Sequence, residues 1–172
     1  MTTPPLEPGR FDRTDLDLLA HVEDDFDVSL ETLASELGLS KSAVHYRIDK
    51  LKEAGVIEGV TADLDPAHFG LDMVAITEVS VTHEHGYSED LGTELAALDG
   101  VEQVYYTMGD VDFVAITRVQ DREQMNRVVE DMVAIEGVNE TSSRFVMDEI
   151  ASDPTFMNSL SGEMRSNLVD GD

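Results

Sequence analysis

The sequence has no cysteine, no tryptophan and no long apolar run. Without cysteine there is no disulfide framework and no thiolate metal site. No apolar run approaches the roughly 18–20 residues that a membrane-spanning helix needs, and no charged-then-apolar leader opens the chain. We therefore expect a cytoplasmic protein that does not enter a membrane.

Cations are also scarce. Eleven Lys plus Arg stand against 37 Asp plus Glu, and the formal net charge is -26 at pH 7. Such a charge repels nucleic acid unless the cations are concentrated in one place. A hydrophobic content of 41% in periodic segments argues against an acidic, disordered protein. We interpret the charge as adaptation to high salt, because screening over about 3 Å at 1 M removes most self-repulsion.

The cations that remain are concentrated on one segment. The only lysines are Lys41, Lys50 and Lys52, Arg47 lies among them, and residues 53–117 contain neither Lys nor Arg. A chain that places four of so few cations together is expected to use them there. Phosphate is the partner that such a cluster favours.

Periodicity and capping residues predict a helix-turn-helix domain over residues 12–62. Residues 12–21 begin with acidic and Thr capping candidates, and Ser29 and Ser40 are N-cap candidates for two further helices. Gly38 between those helices is a terminator able to adopt a positive φ. The apolar residues that repeat at helical spacing are Leu30, Leu33, Ala34, Leu37, Val44, Ile48 and Leu51. Two helices joined by a tight glycine turn are the helix-turn-helix arrangement.

The second helix of such a motif enters the major groove of DNA, with its first residues nearest the bases. We assign base-edge contacts to Ser42, His45 and Tyr46. The assigned phosphate contacts are Ser40, Lys41, Arg47 and Lys50. The alternative is an ordinary helical hairpin with a solvated basic face. Residues 56–62 are expected to form a short strand, either a wing or a linker strand.

The rest of the chain contains an internal duplication. The sequence VAIT occurs at 74–77 and at 114–117, and LDGV at 98–101 is echoed by IEGV at 135–138. Each copy reads as strand, helix, glycine turn, strand. The predicted elements are strands at 73–81, 101–107, 111–119 and 138–148, and helices at 88–98 and 121–135. This βαββαβ order predicts an α+β fold with a ferredoxin-like domain over residues 71–150, after a linker at 63–70.

One face of that predicted sheet is covered by helices, so the other face must be solvated or meet a partner. Val79, Val81, Val104 and Tyr106 are taken as evidence that both faces carry apolar residues. A sheet that is apolar on both faces predicts a homodimer. A two-fold dimer also suits a helix-turn-helix protein, because it reads two half-sites about one helical turn of DNA apart.

Taken together, these motifs resemble the Lrp/AsnC family of transcriptional regulators, in an acidic, haloarchaeal-like form. The resemblance covers roughly residues 12–148 and includes the GLS turn of the helix-turn-helix, Leu64-Asp65-Pro66 after the wing, and Gly109-Asp110-Val111-Asp112. It implies a regulator that binds double-stranded DNA, forms dimers through its sheets and often assembles further, to octamers. It also implies a small effector, usually an amino acid, that binds between dimers near the Gly-Asp-x-Asp turn.

Carried over by position, the resemblance implies an effector site on that turn and the last strand. Its residues are Thr107, Met108, Gly109, Asp110, Asp112, Thr141 and Ser143. The chemistry is reasonable, because exposed amides at a glycine turn can hold a carboxylate and an aspartate can hold an ammonium group. The alternative is that Gly109-Asp110 is only a tight connection. Val111 stands where family members often carry an aromatic residue, so the identity of the effector does not transfer.

Three alternatives fit the sequence less well. Enzymes of the same architecture, such as sirohaem decarboxylases, need cations for a poly-carboxylate substrate, which residues 53–117 do not offer. An architectural, ligand-independent DNA-packing protein would carry cations spread widely. His83-Glu84-His85 could place two imidazoles on one cation, but no third ligand is evident, and a solvated loop is the simpler interpretation. We expect no enzyme activity, no cofactor and no metal.

The two ends of the chain are expected to lie outside both domains. Residues 1–11 are interpreted as a disordered, Pro-rich tail. In the C-terminal tail, residues 151–172, apolar residues at i+4 spacing favour a short amphipathic helix that docks on its own domain or on a partner subunit. Those residues are Phe156, Leu160, Met164 and Leu168.

Overall fold

The computed structural model describes residues 11–25, 27–82, 87–150 and 155–169, and the chain divides into two compact units. The first unit comprises residues 1–62 and 151–172, and the second unit comprises residues 63–150. The elements in chain order are α1 (Arg13–Asp24), α2 (Leu30–Leu37), α3 (Lys41–Glu53), β1 (Met73–Val81), α4 (Tyr87–Ala96), β2 (Val101–Tyr106), β3 (Phe113–Val119), α5 (Arg122–Ala134), β4 (Val138–Phe145) and α6 (Gly162–Val169).

The predicted capping residues begin the helices of the first unit. The Asp12 side chain accepts from the backbone N–H of Asp15, whose own side chain accepts from the N–H of Asp12, so the two form a capping box at the start of α1. Ser29 caps α2 and Ser40 caps α3, each accepting from a backbone N–H three residues on. Gly38 ends α2 with φ 65°, a conformation that glycine adopts without steric cost.

The same helices bury most of the apolar stripe that the sequence predicts, although Leu30 is exposed. Leu33 on α2 is 1% exposed and Val44 on α3 is fully buried, and both belong to a core that includes Leu18 of α1. Leu51 is buried and Ile48 is half-buried against this core. Helix, glycine turn and helix therefore share one hydrophobic core, as in a helix-turn-helix.

The strand predicted at 56–62 was wrong. After α3 the chain makes a turn and then runs without helix or strand until Pro66. Val56 and Ile57 pack against the core of the first unit, but residues 58–65 are exposed. A strand needs neighbours to pair with, and a short extended segment has little stability of its own.

Residues 63–70, expected to be a linker, are grouped with the second unit. Pro66–Phe69 form a 3₁₀ turn capped by the Asp65 side chain, which accepts from the N–H of Ala67. The Gln120 side chain, at the end of β3, donates to the carbonyl oxygen of Phe69 at 2.9 Å. The segment is thereby attached to the sheet that follows it.

The second unit is a four-stranded sheet in the order β2-β3-β1-β4, and all its strand pairs are antiparallel. In the register of β1 and β3, Ile76 lies opposite Ile116, so the two VAIT copies pair with each other at the centre of the sheet. Helices α4 and α5 pack on one side, where Leu95 and Met132 are fully buried with Ala75 and Ala115. This arrangement is the predicted ferredoxin-like fold.

The four residues from which two apolar faces are predicted all lie on one face of the sheet. Val79, Val81 and Val104 all pack against the helices, and the Tyr106 ring lies 5.2 Å from the ring of Phe113 on that same side. The apolar residues of the other face, here called the open face, are different ones. They are Val74, Ile76, Val114, Ile116 and Tyr105. The first four alternate with the helix-facing residues of β1 and β3, and Tyr105 on β2 lies opposite Val114 in register. The open face is therefore apolar at its centre.

Charged residues complete the open face. On β1 and β4, Glu78 and Arg144 form a bidentate ion pair, with Nη2 of Arg144 at 3.0 Å from the carboxylate. Hydrogen bonding from Arg144 holds the pKa of the Glu78 carboxyl below its ordinary value. On β3, Arg118 donates to Glu102 at 2.8 Å and to Glu149 at 2.9 Å. An apolar centre with a polar rim is typical of a surface that meets another protein.

Candidate nucleic-acid interface and effector site

Helix α3 presents most of the residues assigned to DNA to solvent. Ser42, Tyr46 and Lys50 recur at i+4 spacing and are exposed, and Tyr46 is 69% exposed although it is a large, partly apolar side chain. Lys41 and His45 are exposed beside them. The opposite side of α3 is held in the core by Val44 and Leu51. The helix is therefore fixed on one side and offers polar and aromatic side chains on the other.

Acidic side chains accompany two of these residues. Lys41 Nζ lies 3.0 Å from a carboxylate oxygen of Glu31, and His45 Nδ1 lies 2.9 Å from Asp49, one turn along the same helix. Both pairs are exposed, and such pairs contribute at most about 1 kcal/mol and less in high salt. Both contacts therefore break at low cost.

The structure does not support the assignment of Arg47 to phosphate. Its side chain is only 26% exposed, and its guanidinium donates to Asp12 at 2.8 Å and to Asp15. Burial raises the pKa of the Asp12 carboxyl, but hydrogen bonds from Arg47 and from the Asp15 N–H outweigh it and hold that pKa below its ordinary value. The carboxylate is therefore ionised at neutral pH, and Arg47 ties the middle of α3 to the start of α1.

Ser40 is exposed but its hydroxyl has a structural partner. The oxygen accepts from the N–H of Ala43 at 3.2 Å and lies 3.1 Å from the Ser42 hydroxyl. The first contact caps α3, and the second holds the Ser42 side chain at the beginning of the helix. Ser40 thus orders the end of α3 that would lie nearest the bases.

The turn that joins β2 to β3 is closed by two hydrogen bonds. The Thr107 N–H donates to the carbonyl oxygen of Asp112 at 2.8 Å, and the Thr107 hydroxyl donates to that of Val111 at 2.6 Å. Met108 is 98% exposed, and Gly109 and Asp110 are exposed after it. The tip of the turn therefore presents backbone amides and one carboxylate to solvent.

Asp112 has a structural role in this turn. Its carboxylate accepts from the N–H of Val81 at 2.8 Å, and its own N–H donates to the carbonyl oxygen of Val79 at 3.1 Å. These bonds continue the pairing of β3 with β1 beyond Phe113. An effector would compete with the backbone for this carboxylate, so Asp110 is the better placed of the two acids to bind a cationic group.

The two predicted residues of β4 lie across β1 from the turn. Thr141 is opposite Val79 in register, and Phe113, which follows the turn, is opposite Val79 on the other side. Ser143 lies 2.9 Å from the hydroxyl of Thr77, which is fully buried. The sequence did not single out Thr77, because within VAIT it reads as one more residue of an apolar strand. In this sheet, β1 therefore lies between the strand that follows the turn and the β4 hydroxyls.

Among the residues that the structure describes, no group of three or more His, Asp or Glu side chains is arranged to hold a metal ion. The segment His83-Glu84-His85 lies outside the described residues. No helix in the described part of the chain is both long and apolar enough to cross a membrane.

Family models match both units. A winged helix-turn-helix DNA-binding model matches residues 11–58, and the model of the Lrp/AsnC ligand binding domain matches residues 74–156. The HTH-type transcriptional regulator FL11 of Pyrococcus horikoshii is 32% identical over 79% of this chain and 89% of its own length. The leucine-responsive regulatory protein of Escherichia coli K12 is 27% identical over 83% of this chain and 89% of its own length.

Solved structures agree with the fold. The crystal structure of an AsnC family transcriptional regulator from Agrobacterium tumefaciens has a TM-score of 0.79 at 25% identity, and covers 84% of this chain and 95% of that one. A transcriptional regulator from Neisseria meningitidis, solved as a complex with L-Met, has a TM-score of 0.78 at 23% identity, and covers 87% of this chain and 99% of that one. With both units matched in order, this chain belongs to the Lrp/AsnC family of transcriptional regulators.

Proposed function

We propose that this protein regulates transcription by binding specific DNA sequences through α3, and that a small effector, an amino acid, modulates this binding. The observation that carries the proposal is the composition of α3. The helix holds all three lysines of a chain with a net charge of -26, and its solvent side exposes an aromatic residue and hydroxyls. A DNA-reading helix needs both kinds of group.

The exposed side chains divide between two tasks. Ser42, His45 and Tyr46 lie on the first half of α3, which approaches the base edges when such a helix enters the major groove. Lys41 and Lys50 bind phosphates. To do so, Lys41 leaves its exposed ion pair with Glu31. Arg47 is left out of the DNA contacts because two carboxylates already hold it.

The open face supports a homodimer, and the octamers of the family are one further assembly that such dimers can form. Ile76 and Ile116 lie at its centre, where they leave apolar surface uncovered in a single chain. Burial of that surface against the same face of a second copy supplies a favourable free energy of association. Two copies related by a two-fold axis present two α3 helices to a palindromic site.

The test of DNA reading is selection of binding sites from random duplexes by the wild-type protein in molar salt. We expect a palindrome whose half-sites are about 10–10.5 base pairs apart, or a multiple of that spacing. A collection of unrelated sequences would instead identify a DNA-binding protein without sequence preference, which is the architectural alternative.

The effector proposal predicts a specific effect of Asp110→Ala. Asp110 is exposed at the tip of the 107–112 turn, where its carboxylate can hold the ammonium group of an amino acid, and backbone amides are available for the carboxylate. Calorimetric titration of the wild-type protein with each amino acid should identify a ligand. Its affinity should fall about tenfold or more in Asp110→Ala, which corresponds to the loss of one charge-assisted hydrogen bond.

The matched control for this experiment is Asp99→Ala, since Asp99 is another exposed acid in a glycine turn of the same unit. Its ligand affinity should equal that of the wild type. Absence of heat with every amino acid would point to a regulator that acts without an effector, and an equal loss in both variants would point to a general effect of charge.

A further inference from the structure

The C-terminal segment, residues 155–169, is part of the first unit. Met157 is 3% exposed and lies in the same core as Leu18 and Val44, and Leu160, Leu168 and Val169 are half-buried against that core. The segment is a 3₁₀ turn at Met157–Ser159 followed by α6. The expected short helix corresponds to α6, which packs on its own unit, but only part of the i+4 pattern is covered, because Phe156 and Met164 are exposed.

Polar contacts attach this segment to α1. One oxygen of the Glu23 carboxylate accepts from the N–H of Phe156 at 3.2 Å, and the other accepts from the N–H of Met157 at 2.8 Å. Arg165 donates to the carbonyl oxygen of Met157 at 2.9 Å and lies 4.0 Å from the carboxylate of Asp17. The segment is therefore held on α1 at two places, through Glu23 and through Asp17.

The other end of α1 holds α3. Asp12 and Asp15, which form the capping box of α1, both accept from Arg47 in the middle of α3. Arg47 is the cation of α3 that two carboxylates and partial burial fix in place. Helix α1 thus contacts the C-terminal segment through Asp17 and Glu23, and it contacts α3 through the residues of its capping box.

We propose that the C-terminal segment positions α3 for DNA binding, and that it acts through α1 and Arg47. This rests on the proposed function, because it assumes that α3 binds DNA. The occupant of the α1 surface is the chain's own segment, and residues 157–169 lie beyond both matched family models. In this arrangement Glu23, Met157 and Arg47 are positioning residues that do not themselves touch DNA.

The test is Glu23→Gln in the full chain. The substitution keeps the size of the side chain but turns one acceptor into an amide donor, which cannot accept from both N–H groups of the segment. Removal of one negative charge from a DNA-binding unit should, by electrostatics alone, tighten binding slightly. The positioning role predicts the opposite sign, a weakening of specific DNA binding by about 3- to 10-fold. The control Asp24→Asn removes the neighbouring exposed charge and should leave binding unchanged or slightly tighter.

A double-mutant cycle with Arg47→Met identifies the route. If the segment acts through Arg47, Glu23→Gln should change the DNA affinity of Arg47→Met by less than twofold, since the link to α3 is already removed. In a Tyr46→Ala background the full loss should persist, because that variant leaves the link intact. Circular dichroism and thermal midpoints of each variant show whether the first unit is folded at the temperature of the binding assay. Met157→Ala provides a second disruption, should Glu23→Gln leave the segment docked.

Three outcomes would overturn the proposal. One is that folded Glu23→Gln and Met157→Ala both bind specific DNA as the wild type does, and another is that Glu23→Gln tightens binding as Asp24→Asn does. The third is an equal loss from Glu23→Gln with and without Arg47. Failure of the wild-type protein to bind any selected duplex is a separate outcome. It would contradict the proposed function itself, on which the positioning role of the segment rests.

Discussion

Val114→Asp is expected to convert a dimer into a monomer in molar salt. Val114 is half-buried at the centre of the open face, next to Tyr105 on β2 and Glu78 on β1 in register. A carboxylate there would have to lose its hydration when two open faces meet, beside another acid and without a cationic partner of its own. An unpaired charge buried at an interface costs several kcal/mol, which changes a dimer dissociation constant by about three orders of magnitude or more. Light scattering over a range of concentrations measures the change.

The matched control is Val133→Asp. Val133 lies on α5, on the helical side of the same unit, and is 54% exposed, so a carboxylate there remains hydrated. This variant adds the same charge to an already acidic chain and should remain dimeric. Dissociation of both variants would mean that charge repulsion weakens the dimer, and dissociation of neither would place the subunit contact elsewhere.

Tyr46→Ala is expected to weaken binding to the selected DNA site by about 1–3 kcal/mol, or roughly 5- to 150-fold. The ring is exposed and makes little use of its apolar surface in the free protein, so truncation should leave the stability of the first unit almost unchanged. In a complex the ring can contact a thymine methyl group, and its hydroxyl can bond a base edge. Electrophoretic or fluorescence titration with the selected duplex and with a scrambled duplex measures the effect.

Lys50→Ala separates base reading from attraction to phosphate. Loss of one phosphate contact should weaken binding to both duplexes by a similar factor and lower the salt dependence, whereas Tyr46→Ala should weaken mainly the specific complex. If Tyr46→Ala bound both duplexes like the wild type, the assignment of α3 as the reading helix would be lost.

The elements that depend on local sequence could be predicted closely. Ser29, Gly38 and Ser40 mark the ends of α2 and α3 because caps and left-handed turns need only neighbouring residues. The duplication likewise predicted β1 to the residue, because the strand pattern and its repeat agree. The turn at 107–112 was likewise predicted from its glycine and its place between two strands, whereas its assignment to an effector comes from the family resemblance.

What failed depended on partners far away in the sequence. Arg47 borders the inward and outward sides of α3, and only the positions of Asp12 and Asp15, more than 30 residues earlier, decide that it faces α1. The side of the sheet that Val104 occupies depends on its register with β3, which no residue near it encodes. The position of the C-terminal segment could not be predicted for the same reason, since Met157 packs into a core formed mainly by residues near the start of the sequence.

That return of the chain to its first unit has a consequence for synthesis. The ribosome makes α1, α2 and α3 first, but Met157 and its hydrogen bonds to Glu23 follow only after the whole second unit has been made. At about 5–20 residues per second the delay is several seconds. During that time the nascent first unit lacks part of its core, so this unit reaches full stability only after residues 155–169 have been made. Products that terminate before Met157 would lack its contribution to that core.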